Sequence, residues 1–336
     1  MTSILDRYKN KITDFEHMFH INYYEGNIEP SEGTIFVFGS NPEGRHGAGS
    51  AKVARERFGA VYGVGEGLTG NAYALPTKDL RIPGTRSIPK EKIIESIGKL
   101  YNVARSMPDK QFKVAYRTKP AETSLNGYTG LEMVRMFMSH PIPENIWFSE
   151  DWKTMFNPPS PIYVNHSGGA VGSDTYWGDV GGHYGVVSYH YWYGKKTPNG
   201  NIEISLDDFN EGKKHVWGAN NTLHRRPEKF INLLARNWSQ IKNCEQVFAI
   251  GHIKKGIVDG GTGWAVQMAI DVGKIVNFYD QLRERWFRYD NGWDYFNETP
   301  ILTQEFAGIG TRDLNEYGRQ AIKDVYKKTF GWRLNK

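Results

Sequence analysis

The sequence predicts an α/β protein of two three-layer α/β/α domains with mainly parallel sheets. Three observations carry that expectation. Short apolar runs alternate with helix-periodic segments along the chain, the pattern of parallel strands joined by crossover helices. Several of those runs stop at a Gly-rich polar loop that opens into a helix, as in "TIFVFGSNPEGRHGAGSAKVARERFG" (34–59). And "NPPSP" (157–161) sets three prolines in five residues, after which the alternation starts again, so a domain boundary belongs there. A length of 336 residues agrees with two domains.

Taken in order, residues 1–30 read as an N-terminal extension, irregular or helical. In the domain at 31–157, Thr34–Phe38 is an apolar strand. Gly49–Phe58 is a helix with small Ala51 and Ala54 where it packs closely. "NAYALPT" (71–77) is a strand, and Pro89–Met107 a helix, since Ile93, Ile94, Ile97, Leu100, Tyr101 and Ala104 recur at steps of three and four. "FKVAYRT" (112–118), Leu131–Ser139 and "ENIWFS" (144–149) follow as strand, helix and strand. The domain at 160–336 repeats the logic. "PIYVNHSGGAVGSDTYW" is strand, Gly loop and helix, and "VVSYHYW" (186–192) a strand. Phe230–Ile241 is a helix with Phe230, Leu233, Leu234, Trp238 and Ile241 on one side. "QVFAIG" (246–251) is a buried strand, "GGTGWAVQMAIDVG" a Gly loop feeding a helix, "IVNFYD" (275–280) a strand, and "EFAGIGTRDLNEYGRQAIKDVYKKTF" strand, turn and helix.

Composition narrows the function. Hydrophobic residues make up 39% and charged residues 24%, enough for a core in each domain. Net charge is +5, and the basic residues are scattered, as in "KKTPNG" and "HRRPEK". That favours anionic small molecules and does not predict nucleic-acid binding. One cysteine, Cys244, precludes an intrachain disulfide and a Cys-based zinc site. The ten histidines form no H-x-x-x-H or His/Asp ligand spacing, so no metal is expected, and no G-x-S-x-G elbow is present. "MTSILDRYKNKITDF" lacks an apolar signal core and no apolar run is long enough to span a membrane, so the expected setting is the cytoplasm.

The chemistry concentrates in four strand-to-helix loops, 39–49, 167–174, 259–263 and 308–312. Such loops lie at the carboxyl ends of a parallel sheet, where glycines let backbone approach an oxyanion and a helix start supplies free N–H groups. In the first loop Asn41, Arg45, His46, Gly47, Ala48 and Gly49 cluster. Arg45 can pair with phosphate and Asn41 can bond a ribose or base; His46 is a candidate catalytic group or a capping or surface histidine. In the second, Gly168, Gly169 and Gly172 are flanked by Ser167, Ser173 and Asp174. Asp174 is a general base, a sugar ligand or a helix cap. The third holds Gly260, Gly261, Thr262 and Gly263, and the fourth Gly308, Gly310 and Arg312. Arg236 and Asn237, in "LLARNWSQI", are a surface edge or a ligand clamp, and "YHYWYG" (189–194) is strand core or a base-stacking platform.

On "FGSNPEGRHGAGSAKVA", "GEGLTGNAYALPTKD" and "ENIWFSEDW", the region 30–155 resembles the macrodomain fold and its phage and bacterial relatives, which bind ADP-ribose-like ligands. The resemblance implies Asn41 at the end of the first strand and Gly47–Gly49 around a diphosphate. The place of a second Gly-rich loop is taken by "RTKPAETSLNGYTG", where Gly127 is the candidate ligand contact beside Gly130. Residues 160–330 resemble the SLOG superfamily, the Rossmann-like nucleotide-binding domains shared by DprA proteins and the Lonely Guy phosphoribohydrolases. "NHSGGAVGSD", "DGGTGWAVQ" and "GIGTR" match its loops, but the last unit, which normally opens the domain, closes it here. The sequence thus looks circularly permuted, as in the YpsA-related subfamily, and residue 161 and the loop near 300 should lie close together. The catalytic Glu of the Lonely Guy enzymes falls on Val266 or Gln267, so that activity does not carry over. Both resemblances imply a ligand such as ADP-ribose, NAD or a related nucleotide. They imply processing by N-glycosidic or phosphoester hydrolysis, with a non-catalytic sensor or sponge as alternative and DprA-like DNA binding as a second. SLOG relatives also imply a homodimer, and the phage and bacterial macrodomain relatives imply a bacterial protein or a phage protein in its host.

Overall fold

The computed structural model describes residues 21–331; the extension's first twenty residues and the last five residues of the chain lie outside them. The chain falls into two compact units, Met1–Pro159 and Ser160–Lys336. Each is a sheet of mainly parallel strands with helices packed against it.

The first unit runs β1 (Asn22–Tyr24), β2 (Thr34–Ser40), α1 (Gly49–Phe58), β3 (Gly67–Thr69), β4 (Ala72–Pro76), α2 (Lys90–Ser106), β5 (Gln111–Val114), α3 (Gly130–Phe137), β6 (Ile146–Ser149) and α4 (Lys153–Phe156). Its six strands lie in the order β1-β6-β5-β2-β4-β3, all pairs parallel except β3 with β4. β2 is central and buried nearly throughout, which is why it reads as an unbroken apolar run. On one face Phe36 and Phe38 pack with Ala51, Ala54 and Phe58 of α1. α3 starts at a full capping box, Thr129 with Glu132, and Glu132 also takes a two-pronged bond from Arg86 (2.9 and 2.8 Å).

The second unit runs β7 (Val164–Ser167), α5 (Ser173–His183), β8 (Val187–Trp192), β9 (Ile202–Glu203), α6 (Leu206–Leu223), α7 (Ile231–Ala235), α8 (Asn237–Lys242), β10 (Gln246–Gly251), β11 (Ile253–Lys254), β12 (Ile257–Val258), α9 (Thr262–Asp271), β13 (Ile275–Asp280), β14 (Arg285–Tyr289), β15 (Trp293–Phe296), β16 (Glu305–Gly310) and α10 (Glu316–Phe330). The main sheet has the order β15-β14-β13-β10-β16-β7-β8-β9. β16, late in the chain, sits at its centre, parallel to β10 on one side and β7 on the other. Trp177, Phe248, Phe306 and Tyr326 form the core beneath α5 and α10.

One sequence expectation needs correction. The helix expected over 230–241 is broken into a 3-10 turn at Glu228–Phe230, α7 and α8, with Arg236 at the junction. Phe230 and Leu233 are 60% and 45% exposed, so they leave the apolar face assigned to them. The break turns Arg236 inward to a buried partner, a polar demand that an unbroken amphipathic helix does not meet. α6 fills a stretch to which the sequence assigned no element; its buried face includes Gly212 and Ala219, small residues that give little apolar signal.

Candidate functional site

Counted with β16–α10 placed first, the second sheet reads 3-2-1-4-5 from β8 through β7, β16 and β10 to β13. That is the order of a doubly wound fold, and its crevice lies outside the carboxyl ends of the strands where the winding reverses. Consistent with that count, the end of α10 meets the start of β7: the rings of Phe330 and Tyr163 are 4.7 Å apart. The Val164 N–H also bonds the Gln304 carbonyl at 2.7 Å, so residues near 161 and 300 converge.

At the reversal lies a crevice of about 530 Å³ walled by Asp174, Arg236, Asn237, Gly260, Gly261, Thr262, Gly310 and Arg312. Sequence segments some 140 residues apart thus meet at one site. Arg236 is 4% exposed and Asp174 7%. Burial pushes the Asp174 carboxyl up from its ordinary value, opposed by the Arg236 charge and by backbone N–H groups of Gly310, Ala170 and Gly168. Burial likewise lowers Arg236, and the Asp174 charge holds it cationic. The guanidinium lies on the backbone of Gly168: a methyl group there would stand 1.4 Å from Nη1. His190, beneath this pair, is driven down to about 4 by burial and the nearby Arg236 charge, so its ring is neutral.

The glycines divide into two kinds. Gly168, Gly169, Gly172, Gly263 and Gly310 are pressed against protein; a Cβ on Gly172 would meet the Arg312 backbone at 2.5 Å, and one on Gly263 the Val258 carbonyl at 2.2 Å. Ser173 gives both its N–H (3.0 Å) and its hydroxyl (2.9 Å) to the Thr311 carbonyl. Ser167 is fully buried, its hydroxyl 3.5 Å from the Asp174 carbonyl. These residues lock the 168–173 and 310–312 loops to each other and to their neighbours. Gly260 and Gly261 have no atom near a hypothetical Cβ, so their backbone is open at the head of α9. Arg225 holds that loop in place through the Gly260 (2.8 Å) and Val258 (3.1 Å) carbonyls.

A second, larger cavity of about 860 Å³ adjoins the first, sharing Val171, Leu233, Arg236 and Arg312. Trp192, Tyr193, Lys195, Lys196 and Phe230 line it. The aromatic string divides: Tyr189 and Tyr191 are buried core, while Trp192 and Tyr193 face the cavity. Sequence reasoning also missed Gln240, His252 and Asp259 on the first crevice.

In the first unit Asn41 turns back on its own loop: Nδ2 donates to the Arg45 carbonyl and Oδ1 accepts the Arg45 N–H, both at 2.9 Å. Gly47, Ala48 and Gly49 are exposed at the start of α1, which has no side-chain cap and no acidic residue in its first turn. His46 requires correction as a catalytic candidate. It has no exposed surface, stands edge-on to Phe38 at 5.0 Å, and burial lowers its pKa. It is a neutral packing group behind the loop. Gly127 requires correction too: it is buried, and a Cβ there would stand 2.5 Å from the Thr85 Cβ, so it serves contact with the 85–86 segment. Among the described residues, no three His, Cys, Asp or Glu side chains group as a metal site, and no helix is long and apolar enough to cross a membrane.

Fold and site together define a doubly wound, Rossmann-like α/β unit with a crevice at its switch point, in a chain that also holds a second α/β unit. No family model and no curated protein matches the chain. One solved structure similar to it is described as a "Putative molybdenum carrier protein" of Syntrophus aciditrophicus SB, 15% identical, covering 50% of this chain and 94% of that one, with a TM-score of 0.28.

Proposed function

We propose that the second unit is a permuted SLOG-like module that binds a phosphate-bearing nucleotide in the crevice at β10 and β16. The carrying observation is the buried Arg236 beside a crevice whose other wall is the open backbone of Gly260–Gly261 at the head of α9. The N–H groups there donate to phosphate oxygens, and Arg236 and Arg312 offset its charge. The adjoining aromatic and basic cavity gives the rest of the molecule room. In the same reading the first unit is a macrodomain-like module whose Gly47–Gly49 backbone holds the diphosphate of an ADP-ribose-type ligand. The protein then binds, and hydrolyses at an N-glycosidic or phosphoester bond, a nucleotide derived from NAD or ADP-ribose.

One observation favours the alternative, a sensor or sponge without turnover: the Asp174 carboxyl is committed to backbone N–H groups and to Arg236. Calorimetry with ADP-ribose, NAD and AMP, followed by chromatography of the same mixtures, separates the readings. Binding with products supports hydrolysis, and binding without products over hours supports the sensor. No heat with any of the three probes refutes the nucleotide reading.

A further inference from the structure

With Asp174 held by backbone and Arg236, proton transfer in the first crevice needs another group. His252 follows β10 and lines the crevice. Its Nδ1 is buried without a hydrogen-bond partner and lies 3.8 Å from Oδ1 of Asp280. Asp280 ends the adjacent strand β13, opposite Gly251 in the register, and is fully buried. Its carboxylate is fixed by the N–H groups of Leu282 (2.9 Å) and Ile253 (3.3 Å) and by Arg283. The carboxylate therefore stands still behind the ring, and closing the gap by about 1 Å gives an Nδ1–H···O bond. That bond selects the tautomer with its lone pair on Nε2 and stabilises the imidazolium once formed. The His252 carbonyl accepts the Asp259 N–H at 3.0 Å, which ties the His252 backbone to the start of the 259–262 loop. The side chains of Lys254 and Asp259, on the same wall, pair with each other at 2.5 Å, so Arg283 is the cation that pairs with Asp280.

We propose that His252, oriented by Asp280, is the general base for hydrolysis of a phosphoanhydride bond in the nucleotide bound there. The inference rests on the reading of this crevice as a nucleotide site. His252 Nε2 takes one proton from a water as the water oxygen forms a new bond to phosphorus. The P–O bond to the other phosphoryl group breaks, its electron pair leaves with that oxygen, and the proton on His252 returns to the departing phosphate or to solvent. Arg236, Arg312 and the 260–262 backbone carry the anionic charge. His252 is the catalytic residue and Asp280 its positioning residue.

The test uses the full chain with ADP-ribose and with NAD as probes, reading AMP release by chromatography and binding by calorimetry. The expected result is release of AMP by the wild type. His252→Ala lowers turnover about 10²–10⁴-fold while binding changes less than about threefold, and added imidazole restores part of the rate. Asp280→Asn lowers kcat tenfold or more with KM little changed. His252→Gln, which keeps a polar side chain, serves if the alanine variant does not fold. Binding without AMP release by the wild type overturns the catalytic assignment and leaves the binding reading standing. Release that survives His252→Ala or His252→Gln overturns it as well. Failure to bind either probe overturns both the inference and the reading beneath it.

Discussion

Gly168→Ala isolates the buried charge pair. Gly168 is not at positive φ, so an alanine meets no backbone penalty there. Its methyl group, however, would stand 1.4 Å from Nη1, 2.3 Å from Cζ and 2.5 Å from Nη2 of Arg236. The guanidinium has to leave, and Asp174 is then buried without its cation. Removing one partner of a buried pair costs about 3–5 kcal/mol. In a domain of this size each kcal/mol moves the melting temperature by about 2–4 °C, so the second unit's transition should fall by about 6–20 °C. Gly261→Ala is the control. Gly261 has φ −65° and ψ −33° and nothing near a Cβ, so that variant should hold within about 1 kcal/mol of the wild type. Thermal and urea unfolding followed by circular dichroism gives both shifts. A Gly168→Ala transition within about 2 °C of wild type refutes the account of Gly168 as the seat of Arg236.

Three further outcomes follow from the geometry. Gly261→Val leaves the unfolding midpoint unchanged, because the side chain has room, yet weakens nucleotide binding tenfold or more; calorimetry that finds equal affinity refutes phosphate binding at the head of α9. Asp79 is held at about 2, below its ordinary 3.8, chiefly by Arg81. The stability it contributes is present above pH 4 and lost as pH falls toward 2, so Asp79→Asn should flatten the acid limb of a pH–stability curve. His190, depressed from 6.5 to about 4, contributes stability above pH 6.5 that is lost as pH falls toward 4. An NMR titration should show its ring neutral down to about pH 4, and protonation near 6.5 would contradict its burial.

The alternation of strands and helices was legible because parallel strands covered on both faces read as unbroken apolar runs, as "TIFVF" and "QVFAI" do. Elements that escaped notice lack that signal. β1 and β3 are three residues each, too short for a period. The β14–β15 hairpin did carry a signal, "RWFRYDNGWDYF", in which aromatics alternate with charges around Asn291-Gly292 and Asn291 has φ +54°. Three of the glycine-rich loops meet at the crevice, but sequence cannot tell a glycine with open backbone (Gly261) from one pressed against a neighbour (Gly168). That difference depends on where Arg236 goes. His252 and Asp280 belong to no motif; they meet because β10 and β13 pair in register, which only the folded sheet reveals.

The central position of β16 has a consequence for biosynthesis. Every other strand of that sheet precedes it in the chain, so β7 with β8 and β10 with β13 emerge from the ribosome as separate half-sheets. Each exposes a bare hydrophobic inner edge until β16 arrives and pairs with both. The crevice does not exist before that moment, since Gly310 and Arg312 form one of its walls. A chain cut short by synthesis or proteolysis before residue 305 therefore lacks the crevice and leaves both strand edges bare.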